Sequence, residues 1–480
     1  MPQTPPRRAR SPARTTKPAE KHPAELSRRA SMGGTEYSPH TQLYLQLAVF
    51  LDLFGVMLVV PNLIHRFTEL GISTAQYSLV SSVYSASQIV GSLVIGYLGD
   101  NSLGRKRALQ LSFIGAAVSY LLVGIAEDLS LLVLSRVIVG LVKQTQSTAA
   151  ALVTQLSEPE TRAQALARLA SAGTLANLCG SSIGGYLSKR YGRRTPCFLA
   201  AALFAADLVL VHVLFPDTRP KRRPAATPSD AGASASAAAA SSATTSAAPA
   251  AASTPPPARK QRLNLGGFEA AFSGAGGRLL ALRLCYAFLM RSVYSLHSMY
   301  ELERWQLSAA HTGYLFSYKT VLSLMVERLA VGRLAARLPE AWLLQAAVAT
   351  AALNSLCEAS HGSFALYALL NQPVSAFCTA VTRACLSSLF SKAVPVADSG
   401  AALSAFDVGS SAAGILSPLY GGLLLSRLGV ASQPAVAAAH YVVLLGLSAA
   451  VLARNATAAA AAAAAEGEAA GAAARKKKVV

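Results

Sequence analysis

The stretch GSSIGGYLSKRYG at 180–192 recurs in related form as SPLYGGLLLSRLG at 417–429, a displacement of 237 residues in a chain of 480. Such spacing points to two halves built alike. Ala176, Gly180, Gly184 and Gly185 stand opposite Ala413, Ser417, Gly421 and Gly422, and Gly192 stands opposite Gly429. Pro418 takes the place that Ser181 has in the first copy. Small residues at every fourth position share one helix face, where they let a neighbouring backbone approach closely inside a membrane. Gly180, Gly184, Gly185, Ser417, Pro418, Gly421 and Gly422 are therefore read as packing positions in corresponding spans, the build of many membrane carriers.

Composition agrees. Charged residues are 14% of the chain and hydrophobic residues 52%, whereas soluble domains average about 25% charged. Apolar runs near the bilayer-spanning length of about 20 residues fall at 42–64, 77–98, 108–126, 130–152, 166–188 and 197–216, then at 279–300, 311–331, 341–357, 363–390, 400–425 and 433–453. The expected fold is an all-α polytopic membrane protein of about twelve transmembrane helices. An N-terminal six-helix bundle is expected over 42–216 and a C-terminal one over 277–454. A disordered cytosolic tail (1–41), a disordered cytosolic linker rich in Ala, Ser, Thr and Pro (217–276) and an Ala-rich basic cytosolic tail (455–480) complete the chain.

The net charge of +20 lies almost wholly outside the apolar runs, so it speaks for membrane topology and against nucleic-acid binding. The six cysteines form no C-x-x-C pair and read as small core residues, with no disulfide or metal framework. P-loop, dinucleotide, zinc-protease and serine-hydrolase motifs are missing, which excludes an enzyme or an ATP-driven pump and leaves no cofactor to expect. The partners expected are the lipid bilayer, a small-molecule substrate and protons, around a monomer.

Counting basic residues in short loops places both termini in the cytosol, with Arg105, Lys106, Arg107, Arg162, Arg168, Arg333 and Arg337 on the same side. The sparse loops 65–76, 127–129, 301–310 and 358–362 fall opposite, and one loop disobeys, since Lys189, Arg190, Arg193 and Arg194 would lie there too. The expected location is an endomembrane or the plasma membrane.

Charge inside a span costs about 2.5–3.5 kcal/mol at the helix centre even on lenient scales, so such residues should face a cavity or a partner. Asp52 in the first span, Arg136, Lys143 and Gln144 in the fourth and Arg291 in the seventh are the candidates for a substrate or proton path. Arg136 and Lys143 are two helical turns apart and share a face with Gly140. Lys319, Arg383, Asp207 and Asp407 are candidate partners, while Glu327, Arg328 and Arg283 can snorkel. His212 and His297 read as packed or interfacial residues.

The loop GYLGDNSLGRKRAL at 96–109 puts a carboxylate at the end of one helix beside cations at the start of the next, which makes a charge-assisted latch. Gly96, Asp100, Gly104, Arg105 and Lys106 resemble the signature loop of the major facilitator superfamily, G-x-x-x-D-x-x-G-R-K, with one extra residue between Asp100 and Gly104. The second half, Gly332 to Arg337, keeps a glycine and arginines but has Ala336 where the acid would stand. The fifth-span pattern is similar to the superfamily's antiporter motif, and FLDLFGVMLVVP at 50–61 to the opening helix of tetracycline/proton antiporters. The resemblance covers about 42–454 and implies a solute carrier; it carries Arg136 and Gly140 onto a fourth-helix motif that lines the central cavity and serves proton coupling.

The function expected is a secondary active transporter working by alternating access, with proton-coupled antiport as one form. In that form Asp52 binds the proton, and Arg136 with Lys143 lowers its pKa or binds an anionic substrate group. The alternative is a transporter-like receptor or scaffold without net flux.

Overall fold

The computed structural model describes residues 41–157, 161–215, 274–394 and 399–477. The N-terminal tail, nearly all of the linker and Lys478 to Val480 lie outside the described residues, as does the side chain of Asp100.

Six helices make the first half: α1 (Thr41–Glu69), α2 (Thr74–Leu98), α3 (Arg105–Ile125), α4 (Leu129–Thr154), α5 (Arg162–Tyr191) and α6 (Thr195–Leu214). Six more make the second: α7 (Gly274–Trp305), α8 (Ala309–Val326), α9 (Glu340–Ser360), α10 (Phe364–Ala393), α11 (Ser399–Leu428) and α12 (Gln433–Lys477). Among the described residues, nine helices are long and apolar enough to cross a membrane, the three others being α5, α8 and α9. Short turns between consecutive helices reverse the chain. The connections α1–α2, α3–α4, α5–α6, α7–α8, α9–α10 and α11–α12 therefore share one end of the molecule, the loop face, and the start of α1, the α2–α3 turn and the α8–α9 turn share the other, the tail face.

The local signals repeat between the halves. Ser73 and Ser308 cap α2 and α8, and Asp128 and Ser363 cap α4 and α10, each side-chain oxygen accepting a backbone N–H of the first turn. At Asp128 the Leu131 N–H and the Ser130 hydroxyl hold the carboxyl below the usual carboxylate range. The repeat glycines Gly192 and Gly429 end α5 and α11 at φ of 96° and 83°, where a side chain would be strained.

Each half has its own apolar core. Leu45, Leu58, Phe113, Tyr120, Leu132 and Phe204 are fully buried in the first, and Leu344, Val348, Cys378 and Val381 lie at the heart of the second. Leu79, Val90, Leu93 and Val94 stand exposed along α2, as a lipid-facing stripe must.

The repeat glycines do two jobs. A Cβ on Gly184 would strike the Leu58 carbonyl of α1, and its counterpart Gly421 sits likewise against the Ser292 carbonyl of α7, 2.5 Å from where its Cβ would be. One residue on, Gly185 faces the Ala309 carbonyl of α8 at 2.7 Å and Gly422 faces Ser78 of α2. The first pair fastens each half internally; the second fastens the halves to each other, along α5/α8 and α2/α11. Ser181 and Ser182 bond Ser317 at 2.9 and 2.6 Å, and His65 meets Thr312 at 2.8 Å. Ile64 packs with Leu296, Met299, Tyr300 and Leu425 toward the loop face.

Two expectations need correction. The fourth span is not continuous: the helix stops at Val142 and restarts at Thr145. Glu301 and Glu358, expected in loops, lie inside α7 and α9. Beyond these, the Ala-rich tail carries α12 on as helix to Lys477, because alanine has the highest helix propensity.

Candidate functional site

Asp52 falls on the inward face of α1 with Leu45, Ala48, Val49 and Leu53, and it is fully buried. Opposite it, α4 breaks. Lys143 (ψ 88°) and Gln144 (φ −122°) leave the helical region, and unwound backbone at membrane depth is tolerated only inside protein or beside a cavity. The break turns Lys143 onto Asp52, Nζ to Oδ1 at 2.7 Å. Thr145, the first residue of the restarted helix, donates its hydroxyl to the same oxygen at 3.1 Å. Ser112 of α3 supports the turn, accepting the Gln144 N–H at 3.2 Å and lying 2.9 Å from the Thr145 hydroxyl. A carboxylate before the start of a helix is also favoured by the helix dipole.

A second carboxylate completes the site. Asp207 of α6 has no exposure, and neither of its oxygens has a hydrogen-bond partner. It lies within electrostatic reach of Asp52 and Lys143. Asp52 Oδ2 is unpartnered as well. Among the described residues Lys143 pairs directly with Asp52 alone, and burying a charge without compensation is so costly that a group neutralises instead.

Arg136 does not reach Asp52. It is buried one stretch of α4 away, its Nε bonded to Ser135 at 3.3 Å and its Nη2 without a partner. Its guanidinium lies 5.5 Å from the Tyr120 ring centre, Tyr120 stacks on Phe204 at 5.3 Å, and Lys143 sits 4.6 Å from the Phe204 ring. The two cations are therefore linked through a stacked aromatic pair, a geometry worth about 0.5–2 kcal/mol for each cation–π contact. Gly140 and Gly91 let α4 and α2 touch here, since a Cβ on Gly140 would come within 2.5 Å of Ser87 Cβ.

Arg291 stands apart, at the junction of α7 and α11, with Ser410 at 3.5 Å. Its guanidinium lies beside Gly414, whose carbonyl loses its helical partner to Pro418. No carboxylate pairs with Arg291 among the described residues, and its side chain is exposed.

Gly96 lies in α2, and the signature loop folds as a π turn over Gly99–Leu103 followed by Gly104 at φ 76°. An i→i+5 turn holds one residue more than an α turn, which accommodates the extra residue before Gly104. A second π turn, Glu327–Val331, follows α8 at the corresponding place. Lys106 donates to the carbonyls of His212, at 2.9 Å, and Phe215, tying α3 to the carbonyl end of α6. Arg105 begins α3.

On the loop face, Arg193 pairs with Glu69 at 3.0 Å and Arg194 with Glu127 at 3.6 Å, so two of the four basic residues of the disobedient loop carry acidic partners on their own side.

Sequence reasoning named Asp52 and Lys143 and the structure brings them together; it treated Asp207 only as a possible partner. Charge in an otherwise apolar α6 was the available signal.

The family profile described as Major Facilitator Superfamily matches residues 45–370. Solute carrier family 22 member 18 of Rattus norvegicus is 27% identical over 392 residues, covering 79% of this chain and 85% of that protein. The class H tetracycline resistance protein of Pasteurella multocida is 26% identical over 197 residues, covering 40% of this chain and 49% of its own length. The crystal structure of the human organic anion transporter MFSD10 (TETRAN) shares the fold with a TM-score of 0.54 at 19% identity, over 86% of this chain and all of that one. The chain thus belongs to the major facilitator superfamily of membrane transporters.

Proposed function

We propose that the protein exchanges protons for a small organic anion by alternating access. The observation that carries this reading is the buried Asp52–Lys143–Asp207 cluster at the break in α4, which holds more negative than positive charge and so has room for one exchangeable proton. Arg291, a cation exposed between α7 and α11 with no carboxylate beside it among the described residues, is the group we assign to the substrate's negative charge. The likeness to tetracycline resistance proteins and to an organic anion transporter supports the same assignment.

Alternating access follows from two pairs of helices, α5/α8 and α2/α11, that close the loop face through small residues. We assign Gly96, Asp100, Gly104, Arg105 and Lys106 to a latch that closes the tail face in the opposite conformer. We read both termini as cytosolic, the Glu69 and Glu127 pairs offsetting two of the four basic residues of the disobedient loop. Within the superfamily, we read the segments 50–61, 135–145 and 301–318 as resembling major facilitator superfamily domain-containing protein 9.

Flux tests this. Purified protein in liposomes should accumulate labelled organic anions against their gradient only when a pH gradient is imposed, and should discriminate against neutral analogues. Binding without flux under any gradient would favour the receptor reading.

A further inference from the structure

Four helices of the second half converge on a polar cluster that the Asp52 site does not use. Glu301 on α7 accepts from Lys319 of α8 at 2.5 Å and from the Tyr367 hydroxyl of α10 at 2.5 Å. His297, one turn before Glu301, presents Nε2 to that hydroxyl at 3.1 Å and to Glu301 Oε1 at 3.4 Å. Its other nitrogen, Nδ1, faces Glu358 Oε1 of α9 at 3.7 Å, and that oxygen has no hydrogen-bond partner although Glu358 is 5% exposed. Gln372 donates to the Tyr367 hydroxyl, and Trp305 lies against the Tyr367 ring.

The charges do not balance without a proton. Glu301 and Glu358 bring two negative charges and Lys319 one positive. Other charged groups nearby are screened or otherwise engaged: Arg304 is exposed at the end of α7 and donates to the His361 carbonyl at 3.3 Å, His440 of α12 is bonded to Tyr420 of α11, Asp407 of α11 interacts with Arg283, and His65 of α1 is bonded to Thr312 of α8. From α5, which also packs on α8, Lys189 and Arg190 lie in its last turn. A buried uncompensated carboxylate is not stable, and the imidazole placed between the two acids is the group that can supply the missing positive charge near neutral pH. Lys319, with 29% of its side chain exposed, is the most open member of the cluster.

We propose that His297 and Glu358, held by Glu301, Lys319 and Tyr367, form a second proton-binding site, in the C-terminal half and separate from Asp52. A proton arriving from water bonds to His297 Nδ1 and is shared with Glu358 Oε1; its release leaves a neutral ring and a net negative cluster. Because the members come from α7, α8, α9 and α10, occupancy draws α9 toward α7, whereas release loosens the packing at their loop-face ends.

The test counts protons on the purified full chain in detergent with no solute present, between about pH 5 and pH 8. The parent should take up one proton more than His297→Gln and one more than Glu358→Gln, which removes the surplus negative charge. His297→Arg supplies the positive charge permanently and should also lack that proton, which keeps the test available if the Gln variant folds poorly. Asp52→Asn should retain it, so this result stands apart from any outcome at the Asp52 cluster. Uptake by any of the three His297 or Glu358 variants equal to that of the parent would overturn the proposal.

Discussion

Lys143 Nζ lies 2.7 Å from Asp52 Oδ1 and 4.6 Å from the centre of the Phe204 ring, so one ammonium joins the carboxylate of α1 to the aromatic stack of α3 and α6. That position exists only because α4 breaks at Lys143 and Gln144. A cation shared in this way can be released from Asp52 without leaving the site, which is what a group exchanging a proton against a solute must do.

Asp52→Asn should fold and keep counterflow of substrate while losing uphill transport, because Asp207 remains as counter-ion to Lys143. The double change Asp52→Asn with Asp207→Asn leaves Lys143 without a carboxylate. Breaking a buried pair by removing its partner costs about 3–5 kcal/mol, so the double variant should melt well below either single one in a thermal unfolding scan. Equal melting of the double and single variants would remove Asp207 from the cluster.

Adjacent glycines should behave differently. Gly185→Ala puts a methyl group against the Ala309 carbonyl of the other half, so it should open the loop face and raise cysteine labelling from that side. Gly184→Ala presses on Leu58 within its own half and should lower stability without changing sidedness. Matching labelling profiles for the two variants would refute the division of labour.

The repeat made this division visible in part. Gly184 with Gly421 and Gly185 with Gly422 are legible from spacing, and so are the caps at Gly192 and Gly429, since each depends on the absence of a side chain. The break in α4 was not legible: Lys143 and Gln144 sit in a run with no proline or glycine at the break, and what unwinds it is tertiary, the pull of Asp52 and the bond from Ser112. Nor was the second cluster. Glu301 and Glu358 stand just past the apolar runs 279–300 and 341–357, yet Lys319 and His297 compensate them inside α7 and α9. Such compensation comes from residues far apart in the chain, and no local pattern carries it.

For the latch, Asp100→Ala should raise accessibility from the tail face by shifting the balance of conformers. Lys106→Met removes the donor to the His212 and Phe215 carbonyls and should add to the shift. Labelling unchanged in both variants would leave the loop with a role in topology alone.

Topology has its own check. With Glu69 and Glu127 in place, single-cysteine probes at Lys189 and Tyr191 should react with a membrane-impermeant reagent from the non-cytosolic side. Reaction only after permeabilisation would reverse the assignment of the faces.

Proton movement measured on adding solute tests the central claim most directly. Liposomes containing the protein and a trapped pH indicator should show a change in lumenal pH when the transported anion is added. Asp52→Asn with Asp207→Asn, matched for reconstituted amount, should show none. A solute-driven pH change of the same size in the double variant would contradict proton exchange at this cluster.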